Sequence, residues 1–435
     1  MFVSRSLLKS TELFLKAAVP VLLALVLILQ IASLRGLFAD NAFRLVRLLQ
    51  SQAYVPNPEK TRFFCTLIFQ LPALITVRLG VTDLAFFRYL FAGTFVALPL
   101  GVWALALWKA RRETLFWLML SLFCFVYFTT EFFNAGEYNW AYGLSGLQFV
   151  WLIRKAPLSA TDRMGLLTTA FLSILSYAST MFFGPLFVAL AALRLKESAK
   201  NERGFWIAVI VLSAAAALVG LWGFVFPGDP SNKAQALKIS NFFENPQIAL
   251  LGAAFLLSAA LLMPYLRSAR PALVFCALLI ALAAAAGLFR PLNPNLIYGA
   301  RVWVCAGFWT GCLFIAILLR RRAVYASFAP WQGIVLTFLL FAALCAWDIK
   351  DSLDYARYIE RFTTIVNANT GFITNDLLVD TDPYALRFEW IWCYPAMSLV
   401  LRKNAQAAIM LNSAYGVPKQ MMDPYTDLPD LGRYY

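Results

Sequence analysis

Long apolar runs, closed by basic or turn-forming residues, recur along the chain and stop at Trp347. About 20 apolar residues span a bilayer core as a helix. On that measure 17–35, 85–107, 114–130, 138–153, 164–180, 181–195, 205–226, 248–266, 271–289, 304–319 and 330–347 each read as a membrane crossing. Residues 63–77 are apolar too, but short, flanked by Arg62 and Arg78 and broken by Pro72. We read them as lying in, or dipping into, the membrane interface. Between 41 and 54, Arg44, Arg47 and Ser51 recur at i, i+3 and i+7 against Leu45, Val46, Leu48 and Leu49. This spacing predicts an amphipathic helix resting on the bilayer with its basic residues on one face.

From Asp348 the pattern changes to polar, acidic and rich in Tyr and Pro. Residues 351–365 have the spacing of an amphipathic helix, 387–401 are aromatic and apolar, and 407–411 suit a strand. The expected fold class is therefore an all-α polytopic membrane protein over 1–347, with about 11 transmembrane helices and an interfacial amphipathic helix. It carries a small C-terminal α+β extramembrane domain over 348–435.

Composition strengthens this picture. The chain is 61% hydrophobic and 14% charged, where a soluble chain carries roughly 25% charged residues. Its net charge of +14 divides into −3 from Asp348 onward and +17 before it. The excess sits in Lys109/Arg111/Arg112, Arg154/Lys155, Arg194/Lys196/Lys200/Arg203, Arg267/Arg270 and Arg320/Arg321/Arg322, all in alternate loops. Basic loops stay on the cytoplasmic side during insertion. The charge thus reflects topology, and no nucleic-acid partner is expected. The N-terminus is expected inside, with 36–84, 131–137, 227–247, 290–303 and the tail outside. Arg5 and Lys9 precede the first run, but 34–38 offer no small-x-small cleavage site, so a retained first helix is expected. The chain has no His, which excludes His-based triads and argues against zinc. Six of the seven Cys fall in apolar runs and read as small hydrophobes, leaving Cys393 alone in the tail. No Gly-rich phosphate loop is present.

The candidate chemistry gathers in the outward loops. Asp40 follows the first helix directly. It is either a helix cap or, beside Arg44 and Arg47, an ionised general base. Glu131 and Glu137 sit in a short loop; Glu137 is the better candidate, because Gly136 permits close approach and aromatic residues surround it. Arg290 and Arg301 lie on an outward loop, against the charge bias. Arg grips phosphate oxygens bidentately, though snorkelling to lipid head groups is the plainer alternative. Lys233 and Lys238 are less constrained.

The order of features over about 15–110 resembles the GT-C glycosyltransferases, membrane enzymes that use polyprenyl-phosphate-linked sugars at the outer face. A first helix is followed by Asp40, an Arg-bearing amphipathic segment and Glu59-Lys60. After an apolar stretch come Leu79-Gly80-Val81-Thr82-Asp83 and Arg88. Aminoarabinose- and mannosyl-type members look similar there, although Asn41 and Thr61-Arg62 stand where many of them have an acid or Tyr and Pro-Pro. The resemblance implies Asp40 as base or metal-adjacent carboxylate, Glu137 as a second-loop acid and Lys60 as a phosphate contact. Arg44, Glu59, Arg290 and Arg301 complete the expected substrate-binding set.

The expected donor is a polyprenyl-phosphate sugar, and the expected acceptor a lipid-linked glycan or other envelope molecule at the periplasmic face of a bacterial inner membrane. Mg²⁺ or Mn²⁺ between Asp40 and Glu137 is left open. Two rivals remain. An O-antigen polymerase or ligase would carry its large outer loop between late helices. A non-enzymatic lipid or glycan transporter would place charges at mid-membrane; a scaffold subunit would need none.

Overall fold

The structure, a computed structural model, describes residues 5–38, 40–111, 115–130, 137–154, 157–228, 304–305, 307–313, 315–316, 331–379, 388, 393–411 and 431–434. They are mostly helical. In chain order the helices are α1 (Arg5–Ala32), α2 (Asp40–Ser51), α3 (Phe63–Arg78), α4 (Leu84–Ala110), α5 (Leu115–Thr130), α6 (Glu137–Ile153), α7 (Ala160–Ser173), α8 (Thr180–Glu197) and α9 (Arg203–Val225). After them come α10 (Trp331–Ala368), α11 (Asp376–Val379) and α12 (Tyr394–Leu401). Among the described residues four stretches are long and apolar enough to cross a membrane: Ser10–Ala32, Lys60–Arg78, Leu84–Ala110 and Lys200–Val225.

Several expectations need correction. The segment 63–77, expected in or dipping into the interface, is helical: a 3-10 turn, Lys60–Arg62, leads straight into α3, and together they are long and apolar enough to cross a membrane. Pro72 leaves the helix unbroken. The expected helix over 164–180 ends at Ser173. The hydroxyls of Ser173, Ser176 and Thr180 bond back to the carbonyls of Thr169, Leu172 and Tyr177, offering the backbone an alternative to the helical ladder. The expected helices over 248–266 and 271–289 lie outside the described residues, and 304–319 is helical at its described positions.

The chain divides into two compact units. One comprises Met1–Leu25, Asn57–Cys65 and Pro99–Trp347; the other comprises Val26–Pro56, Thr66–Leu98 and Asp348–Tyr435. The boundary expected at 348 coincides with one cut between the units, and the unit that holds 348–435 also takes in 26–56 and 66–98. Helix α10 runs on through Trp347 for 38 residues, about 57 Å at the rise of an α-helix. Lys350 and Arg357 both pair with Asp354 on its exposed side, supporting the continuation.

In the first unit α8 packs on α9, α7 on α9, and α6 on α7 and α8. The α8–α9 approach depends on small residues: a Cβ on Gly184 would lie 2.6 Å from the Ser213 carbonyl oxygen, and one on Gly220 2.7 Å from the Met181 nitrogen. Trp103 meets Phe123 and Phe308 edge-on, and Tyr142 and Phe183 close the same aromatic core. At one edge Asp162 accepts from Lys109 Nζ at 2.6 Å and from Trp151 Nε1 at 3.1 Å. Burial would raise its carboxyl, but these donors, with Ser159, outweigh that and hold it below the usual carboxylate range.

In the second unit β1 (Phe372–Thr374) pairs in parallel with β2 (Ile409–Leu411), Ile373 opposite Met410. Helix α12 packs on both β2 and α2, and Ser398 Oγ accepts from the Met410 amide at 2.9 Å. The C-terminal turn closes on α2, where the Tyr434 hydroxyl donates to the Leu49 carbonyl at 3.0 Å. So α2 does not rest on a bilayer. Asn41, Ala42, Arg44, Leu45, Val46, Leu48 and Leu49 are all buried. The 3.6-residue periodicity was read correctly, but protein rather than lipid covers the apolar face. The basic residues share no open face either: Arg44 is buried, while Arg47 folds over the Phe43 ring at 5.3 Å.

Candidate functional site

Asp40 is the first residue of α2 and is exposed. One turn on, Arg44 Nη1 lies 3.4 Å from Asn41 Oδ1, and Asn41 Nδ2 donates to the Gly36 carbonyl at 3.0 Å. Cys393, at the start of α12, is buried nearby. Burial pushes its thiol well above the usual range; the Asp40 charge adds to this and Arg44 opposes it. Tyr355 is buried in the same unit, stacked on Tyr358 and edge-on to Phe38 and Phe388. Its hydroxyl is pushed up by burial first and by Cys393 second, with Arg35 opposing.

Arg35 itself donates from Nη1 to Asp348 Oδ1 at 2.7 Å and to Ser352 Oγ at 3.1 Å. Gln30 Nε2 reaches both Asp348 oxygens, at 3.1 and 3.0 Å. All four side chains are buried, as is Asp351.

The other predicted residues lie in the first unit. Glu137 opens α6 and is buried. Asn57 Nδ2 donates to its Oε1 at 3.0 Å and Arg62 Nη1 to its Oε2 at 2.9 Å. The Arg62 guanidinium also lies 5.0 Å over the Tyr177 ring. The Glu59-Lys60 pair splits. Glu59 turns inward and accepts from the Gly228 amide at 3.1 Å, while Lys60 is exposed, its ammonium 5.8 Å over the Trp222 ring. Gly80, at φ 84, turns the chain after α3, and Asp83 caps α4 by accepting from the amides of Ala85 at 2.8 Å and Phe86 at 3.1 Å. Arg88 donates to the Arg402 carbonyl at 3.1 Å.

Among the described residues no group of three or more His, Cys, Asp or Glu is placed to hold a metal ion. Glu131, Lys233, Lys238, Arg290 and Arg301 lie outside the described residues.

Sequence reasoning passed over Asn57 altogether and took Arg62 only as a flank of the short apolar run. It also passed over Arg35 and Asp348, which appeared as the ends of apolar runs. An acid closing an apolar run was the available signal, since charge at that depth is costly without a partner. No model of a known protein family matches the chain, and no curated protein matches it either.

Proposed function

We propose that the chain is a membrane glycosyltransferase acting at the outer, periplasmic face of a bacterial inner membrane. In this reading it draws sugar from a polyprenyl-phosphate donor and passes it to a lipid-linked glycan or other envelope acceptor. One observation carries the reading: an exposed carboxylate, Asp40, begins a buried helix whose approach segment follows directly on a helix of membrane-crossing length.

In the reaction, Asp40 accepts the proton of the acceptor hydroxyl as its oxygen attacks the anomeric carbon of the sugar. The bond from that carbon to the lipid phosphate breaks, and the phosphate leaves with the electron pair. The departing anion calls for cations; Lys60 is the phosphate contact that the resemblance implies, and Arg290 and Arg301 are the outward-loop arginines expected to grip phosphate oxygens.

A second reading also has an observation behind it. Buried Arg35 and Asp348 pair just past the end of a membrane-length helix, and charges inside a membrane protein often mark transport paths. The two readings part in one experiment. Purified protein in nanodiscs receives labelled polyprenyl-phosphate sugar and envelope lipid acceptors. Label moves to the acceptor with wild type, and Asp40→Asn loses 10²-fold or more of turnover with unchanged thermal unfolding. Wild type that transfers nothing, yet moves the donor lipid across vesicles, makes the chain a transporter.

A further inference from the structure

The geometry points to the buried Arg35–Asp348 pair as the positioning device that aims Asp40, an inference that rests on the reading of Asp40 as the base. The segment from Gln30 to Asn41 is held far more tightly than ending a helix requires. Leu34 stands in the left-handed region at φ 58, where a branched side chain is uncommon; a Gly would end α1 there without strain. Gly36 lies so close to α4 that a Cβ would sit 2.1 Å from the Ala92 carbonyl oxygen. Phe38 meets Tyr355 at 6.0 Å, and Asn41 bonds back to the Gly36 carbonyl. Between these contacts sits Arg35, 2.7 Å from Asp348 and 3.1 Å from Ser352, with Gln30 bridging both Asp348 oxygens.

A strained backbone persists only where its surroundings over-determine it, and such sites cluster where function needs preorganisation. A buried ion pair is also a poor choice for stability alone, since an apolar pair of similar volume does as well or better. What a planar guanidinium donating to both a carboxylate and a hydroxyl supplies is direction. Here the directed element is the entry of α2, whose first residue is Asp40. Arg35 and Asp348 are thus positioning residues. They act through the backbone of 34–40 on a base that must fall within hydrogen-bond reach of its substrate.

The test compares Arg35→Gln, Asp348→Asn and the double variant by thermal unfolding, by hydrogen exchange over 34–44, and by kcat and KM. Each single variant removes one charge of the buried pair and loses stability; the double variant recovers it. Even so, exchange over 34–44 in the double variant rises about 10-fold or more while β1 and β2 stay protected. Its kcat falls on the order of 10²-fold with KM little changed. Arg35→Lys fails to restore kcat, because an ammonium is a point charge. Wild-type exchange over 34–44, or wild-type kcat, in the folded double variant overturns the inference. Should that variant fail to fold, Gln30→Leu strips two hydrogen bonds from Asp348 without leaving a charge unpaired, and unchanged exchange there overturns it equally. If wild type transfers no sugar, the transferase reading fails by itself, and the exchange measurement still decides whether the pair holds the segment.

Discussion

Arg62 and Glu137 meet at 2.9 Å although they stand 75 positions apart, and Asn57 takes the second carboxylate oxygen. The loop Asn57–Arg62 is thereby tied to the first turn of α6, and the acid expected to face substrate is engaged on both sides. Replacing Glu137 with Gln removes the carboxylate charge nearest Arg62, and the expected loss is up to about 3 kcal/mol of stability. Arg62→Gln/Glu137→Gln should recover most of it. Thermal unfolding in detergent measures both. Full sugar transfer by the double variant would confine Glu137 to a structural role.

Asp83 closes the turn between α3 and α4 with two amide hydrogen bonds. Asp83→Ala should cost about 1 kcal/mol, the usual value of a lost helix cap, and Asp83→Asn much less. Turnover should be unaffected in either. A large loss of transfer at preserved stability would move Asp83 into the reactive site.

Gly36 and Gly101 make opposite demands. A Cβ at Gly36 would collide with the backbone of Ala92, whereas one at Gly101 meets nothing within 4 Å. Gly36→Ala should sharply reduce the yield of folded protein. Gly101→Ala should be neutral, or stabilising by about 0.5–1 kcal/mol, since Gly weakens a helix interior. Yields after size-exclusion chromatography and melting curves separate them; equal behaviour would contradict the close approach of 36 to 92.

Burial keeps the Cys393 thiol and the Tyr355 hydroxyl protonated to higher pH than usual. In the unfolded chain the thiol loses its proton near ~8.5 and the phenol near ~10. Above those values the unfolded state binds fewer protons than the folded one, so stability falls as pH rises. The contribution is fully present below about pH 8.5, and each group erodes it by up to ~1.4 kcal/mol per pH unit above its unfolded value. Unfolding followed from pH 7 to 11 should show this decline, less steep in Cys393→Ala between roughly 8.5 and 10. Identical slopes for the two proteins would mean the thiol is not held protonated.

The membrane character and most helix positions were legible in the chain because they depend on local quantities. Apolar run length located α4, α5, α6 and α9 to within a few residues, and the i, i+3, i+7 spacing located α2. Run length could not tell that α3 and its leading turn reach crossing length, since Pro72 and the flanking arginines argued otherwise. Nor could it tell that α10 continues past Trp347, because a polar stretch after an apolar one reads as a boundary whether or not the backbone bends.

Periodicity reports that a helix has an apolar face but not what covers it. Only the tertiary structure buries Arg44 and sets α12 and Tyr434 against α2. The same limit applies to the candidate chemistry. Asp40 and Glu137 stood out as acids in outward loops and Glu59-Lys60 through the resemblance, but the partners of Glu59, Lys60 and Glu137 lie far off in sequence. Arg35 and Asp348 are 313 positions apart. Pairings of that kind are made when the chain folds back on itself, where each buried charge must find a counter-charge, and no local pattern records which one it finds.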